Sequence, residues 1–402
     1  MHTTLILVPL LFKATGSLRP LCLLLAVLLF VGARYASKKA NGRVATALDA
    51  SVIAIVLLSV LLVAPRPLAE QPFPDAQEVA DATRQLVSGN GYATYVHGNE
   101  RHPPRYPPGF SLALAPFAVI RDDYPSNVQR GATFYAALYV LIAVSAAWSL
   151  KGPAAGALAA ILIGMSPFAK VEASLIMSDG FAAGMTVLFV ALLQHPTPKR
   201  ISVAGALAGA LVAIRLPMVL NLIALLIVLP WALRKWLLLF SAPPLTAVGL
   251  FNWLTFGSPF RTGYDYWLPG LKHFSLSFAL ASPIQGDGPW VVADALGGLL
   301  LSWICPCPDG GPQAGMSNLS YYPSVLLGLF WIYVPPLLPV IGLLYGWEHR
   351  RALAVRFTFW LTALSLLLFT FYFYQGARFM AGPVTLLAVF ASAKLAEWIE
   401  GG

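Results

Sequence analysis

An aspartate opens the segment DAQEVADATRQLV, which lies within PFPDAQEVADATRQLVSGNG at residues 72–91. Pro74 suits the first position of a helix and Gly89 its end, and the apolar residues between them recur with helical spacing. Asp75 therefore lies in the first turn, where the helix dipole and free N–H groups favour an ionised carboxylate. A carboxylate held in this way has the chemistry of a general base. The alternative interpretation is ordinary complementarity between an acidic residue and a helix N-terminus.

A second carboxylate, Asp179, lies in EASLIMSDGFAAGM at the start of an apolar run. An ionisable residue at such a position is a candidate for function. The alternative is that Ser178 and Asp179 cap the helix that follows. If both aspartates face the same side of the membrane, we expect a pair in which one carboxylate takes part in the reaction and the other orients it.

Several cations share that side in the topology argued below, although positive charge is disfavoured there. They are Arg101, Arg105, Arg261, Lys272 and Arg378. Arg378 lies among aromatic residues in YFYQGARFMAGP, and arginine binds phosphate in a fixed fork geometry. A lipid phosphate at the bilayer surface is the ligand that this pattern favours. The alternative is that the cations reach separately to anionic lipid headgroups.

The nonapeptide RHPPRYPPG at 101–109 combines cations, aromatic residues and four prolines. Its prolines exclude a helix and predict a stiff extended turn that holds Arg105 and Tyr106 at headgroup depth. Arg101 and His102 are predicted at the rim. Arg215, in AIRLPM at the end of an apolar run, is predicted either to pair with an acidic group inside the bundle or to serve structure alone.

The composition predicts an integral membrane protein. Of 402 residues, 58% are hydrophobic and 11% charged, whereas soluble domains carry about 25% charged residues. Continuous apolar runs favour helices over a barrel. We expect an all-α polytopic protein of about 11–12 spans, near the following residues: 18–36, 45–65, 127–150, 153–169, 179–194, 201–217, 218–233, 236–256, 322–346, 353–374 and 379–398. Residues 3–12 are apolar but short.

The charge pattern predicts the orientation. If residues 37–44 are cytoplasmic, the other short basic connections, which lie near Lys151, Lys199, Arg234 and Arg350, are cytoplasmic as well. The net charge of +9 thus reports topology, and no nucleic-acid partner is expected. We expect one transmembrane domain over 1–402, with two long extracytoplasmic loops at 66–126 and 257–321. The first is predicted to carry short interfacial helices and the functional residues.

Several classes of protein are disfavoured. The sequence contains no P-loop, G-x-S-x-G, H-E-x-x-H or helix-opening G-x-G-x-x-G motif, which argues against a nucleotide-driven pump or a membrane metalloprotease. Cys305 and Cys307 have no second Cys or His pair nearby, and a local disulfide or two free thiols is the preferred interpretation. Glu78, one short turn after Asp75, could help to bind a divalent metal, but no D-x-D pair is present and the chemistry does not require a metal.

Four patches occur in a fixed order and on one predicted side of the membrane. They are Asp75 with SGNGY at 88–92 and RYPPGFSLALAPF at 105–117, then Asp179, then FNWLTFGSPFRTGYDYW at 251–267, and finally GARFMAGPVTLLAVF at 376–390. In these patches the chain resembles the GT-C superfamily of polytopic glycosyltransferases, in the branch of protein O-mannosyltransferases and lipid A aminoarabinose transferases. The resemblance covers about residues 45–395. No large soluble C-terminal domain follows, and GGLLLSWICPCPDGGP at 297–312 departs from the apolar loop of the family.

The resemblance implies inverting transfer of a hexose or pentose from a dolichyl- or undecaprenyl-phosphate donor to an acceptor hydroxyl on a lipid, glycan or protein. It implies that Asp75 is the catalytic base and Asp179 the second acidic residue. Arg105, with Tyr106 beside it, and also Arg261 and Arg378 are then donor-phosphate contacts. Glu78, Arg101, His102, Arg215 and Tyr264 are candidates for substrate contact or site support. The site would face the exterior or periplasm of a plasma (inner) membrane, or the lumen in an ER membrane.

The alternative function is a lipid or polysaccharide transporter or flippase. Such a protein would share the basic external groove but would need charged residues through the bilayer centre. The polar groups are concentrated on one side, which favours the enzyme. A non-catalytic assembly subunit is a third class, which the presence of both Asp75 and Asp179 disfavours.

Overall fold

The computed structural model describes residues 25–37, 42–72, 74–96, 98, 100–120, 123–270, 273–280, 317–328, 334–335, 337–372 and 376–401. Lys272, Cys305, Cys307 and the segments 3–12 and 297–312 lie outside these residues. The described chain is helical and has two isolated bridges but no strand. The prediction of an all-α membrane protein is therefore confirmed.

The helices in chain order are α1 (Leu25–Ser37), α2 (Gly42–Leu61), α3 (Asp75–Val87), α4 (Gly109–Ile120), α5 (Ser126–Ala159), α6 (Pro167–Ser174), α7 (Asp179–Gln194), α8 (Pro198–Ile214), α9 (Val219–Val228), α10 (Trp231–Phe256), α11 (Gly263–Trp267), α12 (Leu276–Leu280), α13 (Asn318–Leu326), α14 (Leu338–Glu348), α15 (Leu353–Thr370) and α16 (Ala381–Gly401).

Among the described residues, five helical stretches are long and apolar enough to cross a membrane: Gly42–Leu61, Ser126–Gly164, Trp231–Phe256, Leu353–Thr370 and Ala377–Gly401. Four shorter helical stretches are also apolar: Leu25–Ser37, Gly109–Ile120, Asp179–Gln194 and Leu216–Val228. Several predicted spans are thus divided or joined. The predicted pair 127–150 and 153–169 forms one helix with a non-helical break at Lys151 and Gly152, extended by a π turn over Ala160–Gly164.

Helix α16 forms the centre of the bundle. It packs against α5, α7 and α14, and nearly every side chain from Ala381 to Ala393 is buried. Small residues recur along it, so that neighbouring helices can approach closely. Because Arg378 lies in the 3₁₀ turn just before α16, the central helix of the fold fixes the position of that arginine.

The two ends of α16 differ in their ionic partners. Near its C-terminal end, Glu397 pairs with Lys151 at 2.6 Å, and Lys394 pairs with Glu348 at 2.6 Å. Lys151 belongs to the basic set predicted at the cytoplasmic side, and Lys394 lies at the same end of α16. Arg378 lies at the opposite end, about 30 Å away for a helix of this length. The structure therefore places Lys151 and Lys394 at the opposite end of α16 from Arg378.

The chain between α2 and α5 forms the first long loop. It contains α3, the extended stretch with RHPPRYPPG and α4. The predicted helix within 72–91 is confirmed, but Pro74 occupies the N-cap and Asp75 is the first helical residue. Gly89 follows the end of α3 with φ +78°, a left-handed conformation that glycine adopts without strain.

Candidate active site

The first element of the site is a contact between the beginning of α3 and the turn before α16. Nη1 of Arg378 lies 2.6 Å from Oδ2 of Asp75. The hydroxyl of Tyr106, in the proline-rich stretch, also donates a hydrogen bond to the Asp75 carboxylate. Both charged side chains are partly shielded, with 16% of Asp75 and 25% of Arg378 exposed. A carboxylate, a guanidinium and a phenol predicted from distant parts of the sequence therefore meet in one place.

The charge state of Asp75 follows from two opposed effects. Burial disfavours the carboxylate, but the Arg378 guanidinium and the hydrogen bond from Tyr106 outweigh this cost, so the pKa of Asp75 lies below its usual value. Asp75 is thus ionised at neutral pH, as its position at a helix N-terminus predicted. Burial raises the pKa of Tyr106 well above its ordinary value, so this phenol stays protonated and can donate a hydrogen bond.

A second ion pair lies beside the first. Asp179 is the first residue of α7, and its carboxylate contacts Nη1 of Arg215, which caps the C-terminal end of α8. Both residues are buried. Ser178 occupies the N-cap without a side-chain hydrogen bond, so the Arg215 contact, and not helix capping by serine, accounts for this acidic residue. Arg215 therefore pairs with an acidic group inside the bundle, which is one of the possibilities that the sequence left open.

Both ion pairs line one narrow cleft. Its lining includes Asp75, Tyr106, Asp179, Arg215 and Arg378, together with apolar side chains from α3, α4 and the α6–α7 connection. Two carboxylates and two guanidiniums therefore alternate around a small shielded volume. A low local polarity strengthens each of these electrostatic interactions.

A larger cavity of about 310 Å³ adjoins the cleft. Tyr106, Pro107 and Arg215 line both volumes, so the cleft and the cavity adjoin at these three side chains. The rest of the cavity lining is largely apolar and aromatic: Leu216, Pro217, Val219, Thr262, Tyr264, Asp265, His273, Phe274, Leu368, Tyr372 and Phe379. Such a cavity suits an amphiphile whose apolar part lies against the aromatic residues and whose charged end reaches Arg215.

Tyr264 connects the second long loop to the site. It lies on α11, its ring packs edge-on against Tyr106 at 5.7 Å between centroids, and the two residues share a hydrogen bond. Thr262 and Asp265 form a capping box that begins this short helix. Tyr264, predicted as site support, is therefore in contact with the residue that hydrogen-bonds to Asp75.

The remaining sequence candidates lie outside the cleft. Nε of Arg105 faces Glu78 at 3.9 Å. Arg101 donates to the carbonyl oxygen of Asn90 at 3.0 Å, and His102 packs edge-on against Trp267 at 5.0 Å. Arg261 is exposed in the turn before α11. The structure thus brings together Asp75, Tyr106, Asp179, Arg215, Tyr264 and Arg378, but not Arg101, Arg105 or Arg261.

A metal site was considered from sequence because Glu78 follows Asp75 closely. In the structure, Glu78 is fully buried and its carboxylate accepts a hydrogen bond from the backbone N–H of Arg105. Among the described residues, no group of three or more His, Cys, Asp or Glu side chains is arranged to hold a metal ion. In the described structure Glu78 therefore makes a backbone contact.

Three residues that support the site were not predicted. Gln71 accepts from the backbone N–H of Ile176 at 2.9 Å and donates to the carbonyl of Arg66, so it joins the approach to Asp75 with the approach to Asp179. Tyr92 donates to the carbonyls of Tyr106 and Pro107, and Trp267 Nε1 donates to that of Pro103. Tyr92 and Trp267 lie within the patches that carry the family resemblance. Their position in these patches is the sequence feature that could have identified them. Nothing in the sequence distinguishes Gln71.

The helical architecture of this chain is shared with solved structures. Among solved structures, the chain is similar to ArnT from Cupriavidus metallidurans in the apo state, with a TM-score of 0.53 and 14% identity over 89% of this chain and 60% of that one. It is equally similar to the same protein bound to undecaprenyl phosphate, with a TM-score of 0.53 and 14% identity over 87% and 59% of the two chains.

This chain therefore spans about 60% of the length of the ArnT structures that it matches. No family model matches its sequence, and no curated protein does so either. The fold expected from the resemblance seen in the sequence is therefore confirmed.

Proposed function

We propose that this protein is a glycosyltransferase that moves a sugar from a polyprenyl-phosphate donor to an acceptor hydroxyl. The observation that carries the proposal is the position of Asp75 between Tyr106 and Arg378, in a cleft that joins an apolar cavity. The fold shared with ArnT supports the same conclusion, since one of the ArnT structures contains undecaprenyl phosphate.

The chemistry requires a base and a site for negative charge. The acceptor oxygen forms a bond to the anomeric carbon while its proton passes to the Asp75 carboxylate, and the bond between that carbon and the phosphate oxygen breaks. The electron pair leaves with the phosphate, which gains charge. Arg378 and Arg215 are placed to stabilise that charge by charge-assisted hydrogen bonds. Attack opposite the leaving phosphate gives inversion.

Arg378 has two partners in this scheme. Without substrate its guanidinium holds Asp75 and keeps the pKa of that carboxyl low, which makes Asp75 a weak base. A donor phosphate at Arg378 would draw the guanidinium away from Asp75. The basicity of Asp75 would then increase when the leaving group is in place.

The aromatic cavity is the proposed site for the first prenyl units of the donor. Its lining provides apolar contacts on α9, α15 and the second loop, with Arg215 and Tyr106 at the end that joins the cleft. Because the basic connections lie at the opposite end of α16, we place the reaction on the extracytoplasmic face.

The proposal is tested by incubating purified protein with a panel of polyprenyl-phosphate sugars and analysing products by mass spectrometry. We expect transfer with at least one donor, and a loss of about 10²-fold or more in Asp75→Asn, since a positioned general base contributes about 10²–10⁴-fold. Asparagine retains a hydrogen-bonding oxygen, so the variant should fold. Activity like that of the wild type in Asp75→Asn would exclude Asp75 as the base, and no transfer from any donor would contradict the proposed function.

A further inference from the structure

Glu78 is a buried carboxyl group that the proposed reaction does not use. It lies on α3, three residues after Asp75, and its side chain has no exposed surface. It does not line the cleft that contains Asp75. A buried carboxyl group is costly unless its oxygens are satisfied, and an apolar residue would serve stability as well or better.

Glu78 hydrogen-bonds to the backbone of RHPPRYPPG. Its Oε1 accepts from the N–H of Arg105, and the N–H of Tyr106 donates to the same carboxyl group. The Arg105 side chain interacts with Glu78 through its charge but not through a hydrogen bond, because its Nε lies 3.9 Å from Oε2. Glu78 therefore recognises main-chain geometry in this loop.

The sequence explains why these two N–H groups matter. Residues 103, 104, 107 and 108 are prolines, which have no backbone N–H. Between His102 and Gly109, the N–H groups of Arg105 and Tyr106 are thus the only main-chain donors, and both go to Glu78.

We propose that Glu78 is a positioning residue that sets the hydroxyl of Tyr106 against Asp75. A single rigid helix, α3, carries both Asp75 and Glu78 one turn apart. Glu78 holds the backbone of Tyr106 while Asp75 receives its hydroxyl, so one loop residue is anchored to α3 at both ends. The effect of Glu78 on catalysis rests on the function proposed above, whereas its effect on loop geometry does not.

Asp81 offers a matched control on the same helix. It accepts from the hydroxyl of Thr94 at 3.0 Å and from the N–H of Tyr95 at 2.6 Å. It therefore holds the backbone of the same loop by the same chemistry, but on a part that does not contact Asp75. A loss of loop packing in general would affect Asp81→Ala and Glu78→Ala alike.

The test is a double-mutant cycle between Glu78→Ala and Tyr106→Phe. We expect Glu78→Ala to lower kcat about tenfold, the equivalent of one lost hydrogen bond of about 1.4 kcal/mol, and to add little in the Tyr106→Phe background. Asp81→Ala should keep kcat within about twofold. Additive losses, or an equal loss in Asp81→Ala, would overturn the positioning role.

Two further measurements keep the proposal testable if Glu78→Ala does not fold or no donor is found. Glu78→Gln keeps an acceptor oxygen at the same reach, so it should retain more activity than Glu78→Asp, in which the oxygens are drawn back; the reverse order would contradict the proposal. By hydrogen exchange, the amides of Arg105 and Tyr106 should lose protection in Glu78→Asp but not in Asp81→Ala. Unchanged protection in Glu78→Asp would refute the loop contact whether or not the protein transfers sugar.

Discussion

Arg378 donates from Nη1 to Oδ2 of Asp75 across 2.6 Å, which joins the turn before the central helix to the first residue of a short helix in the first loop. The two opposite charges compensate each other at a position that is largely shielded from solvent. The donor phosphate proposed here must compete with Asp75 for this guanidinium.

Replacing Arg378 tests the phosphate site directly. We expect Arg378→Gln to weaken binding of undecaprenyl phosphate by about tenfold or more, since a charge-assisted hydrogen bond to phosphate contributes about 1.5–3 kcal/mol. Binding can be measured by quenching of intrinsic fluorescence or by scintillation proximity with labelled lipid.

Arg261 is the matched control for this experiment, because it is exposed and outside the cleft. Arg261→Gln should change the affinity less than about twofold. If Arg261→Gln weakens binding as much as Arg378→Gln, the phosphate lies over the turn before α11 instead of at the ion pair.

Breaking the buried pair of Asp179 and Arg215 should affect stability more than removing it as a whole. Asp179→Leu leaves Arg215 buried without its partner, and we expect a loss of about 3–5 kcal/mol in the free energy of unfolding. Asp179→Leu combined with Arg215→Met should recover most of that loss but remain inactive. Thermal unfolding in detergent gives the comparison, and a double variant no more stable than Asp179→Leu would show that the pair is not coupled.

The pH dependence of stability reports on Glu78. Burial raises the pKa of Glu78 to about 7, although the hydrogen bond from the Arg105 backbone opposes this shift. Because the folded-state pKa exceeds the ordinary value of 4.5, the unfolded chain releases this proton first. The stability that Glu78 provides is therefore complete below pH 4.5 and decreases as the pH rises towards 7, by at most about 1.4 kcal/mol per pH unit.

Glu78→Gln removes this titration, so its melting temperature should vary less than that of the wild type between pH 4.5 and 7. Asp75, whose pKa is lowered, contributes in the opposite sense and only at more acidic pH. Parallel melting curves for wild type and Glu78→Gln across that range would contradict the shift.

Close backbone contact between the two long loops makes Gly263 sensitive to substitution. A Cβ at this position would lie 2.5 Å from the carbonyl oxygens of both Pro104 and Arg105. Gly263→Ala must therefore displace α11, and with it the contact between Tyr264 and Tyr106, at a cost of about 1–3 kcal/mol. We expect reduced thermal stability and reduced transfer.

Gly249→Ala serves as the control for this substitution, since its nearest contact would be an ordinary 3.7 Å. It should leave both stability and transfer close to those of the wild type. Equal effects at Gly249 and Gly263 would mean that the contact between the loops is not what couples α11 to the site.

The sequence was informative wherever one residue carried its own signal. Pro74 and Gly89 marked the ends of α3, and an arginine on the disfavoured side of the membrane singled out Arg378. Asp179 and Arg215 were identified separately because each is ionisable in an apolar run. Residue type and position in the sequence therefore identified four residues that line the cleft, namely Asp75, Asp179, Arg215 and Arg378.

The pairings themselves required the structure. No periodicity relates Asp75 to Arg378 or Asp179 to Arg215, since these contacts depend on how helices from distant parts of the chain pack. Arg105 was expected at the phosphate because of its charge, but its backbone N–H is what the fold uses. Gln71 escaped notice because a neutral side chain that bridges two backbone segments leaves no pattern in composition or spacing.

The burial of α16 has a consequence for biosynthesis. Most of the stretch Ala377–Gly401 is buried among other helices, and Arg378 is the second residue of this stretch. A ribosome would complete the helices that carry Asp75 and Asp179 well before this segment emerges, so the cleft has no Arg378 until the central helix inserts among its neighbours. Ribosome-bound intermediates would accordingly lack the complete ionic cleft, and the site would form only once the bundle has closed around α16.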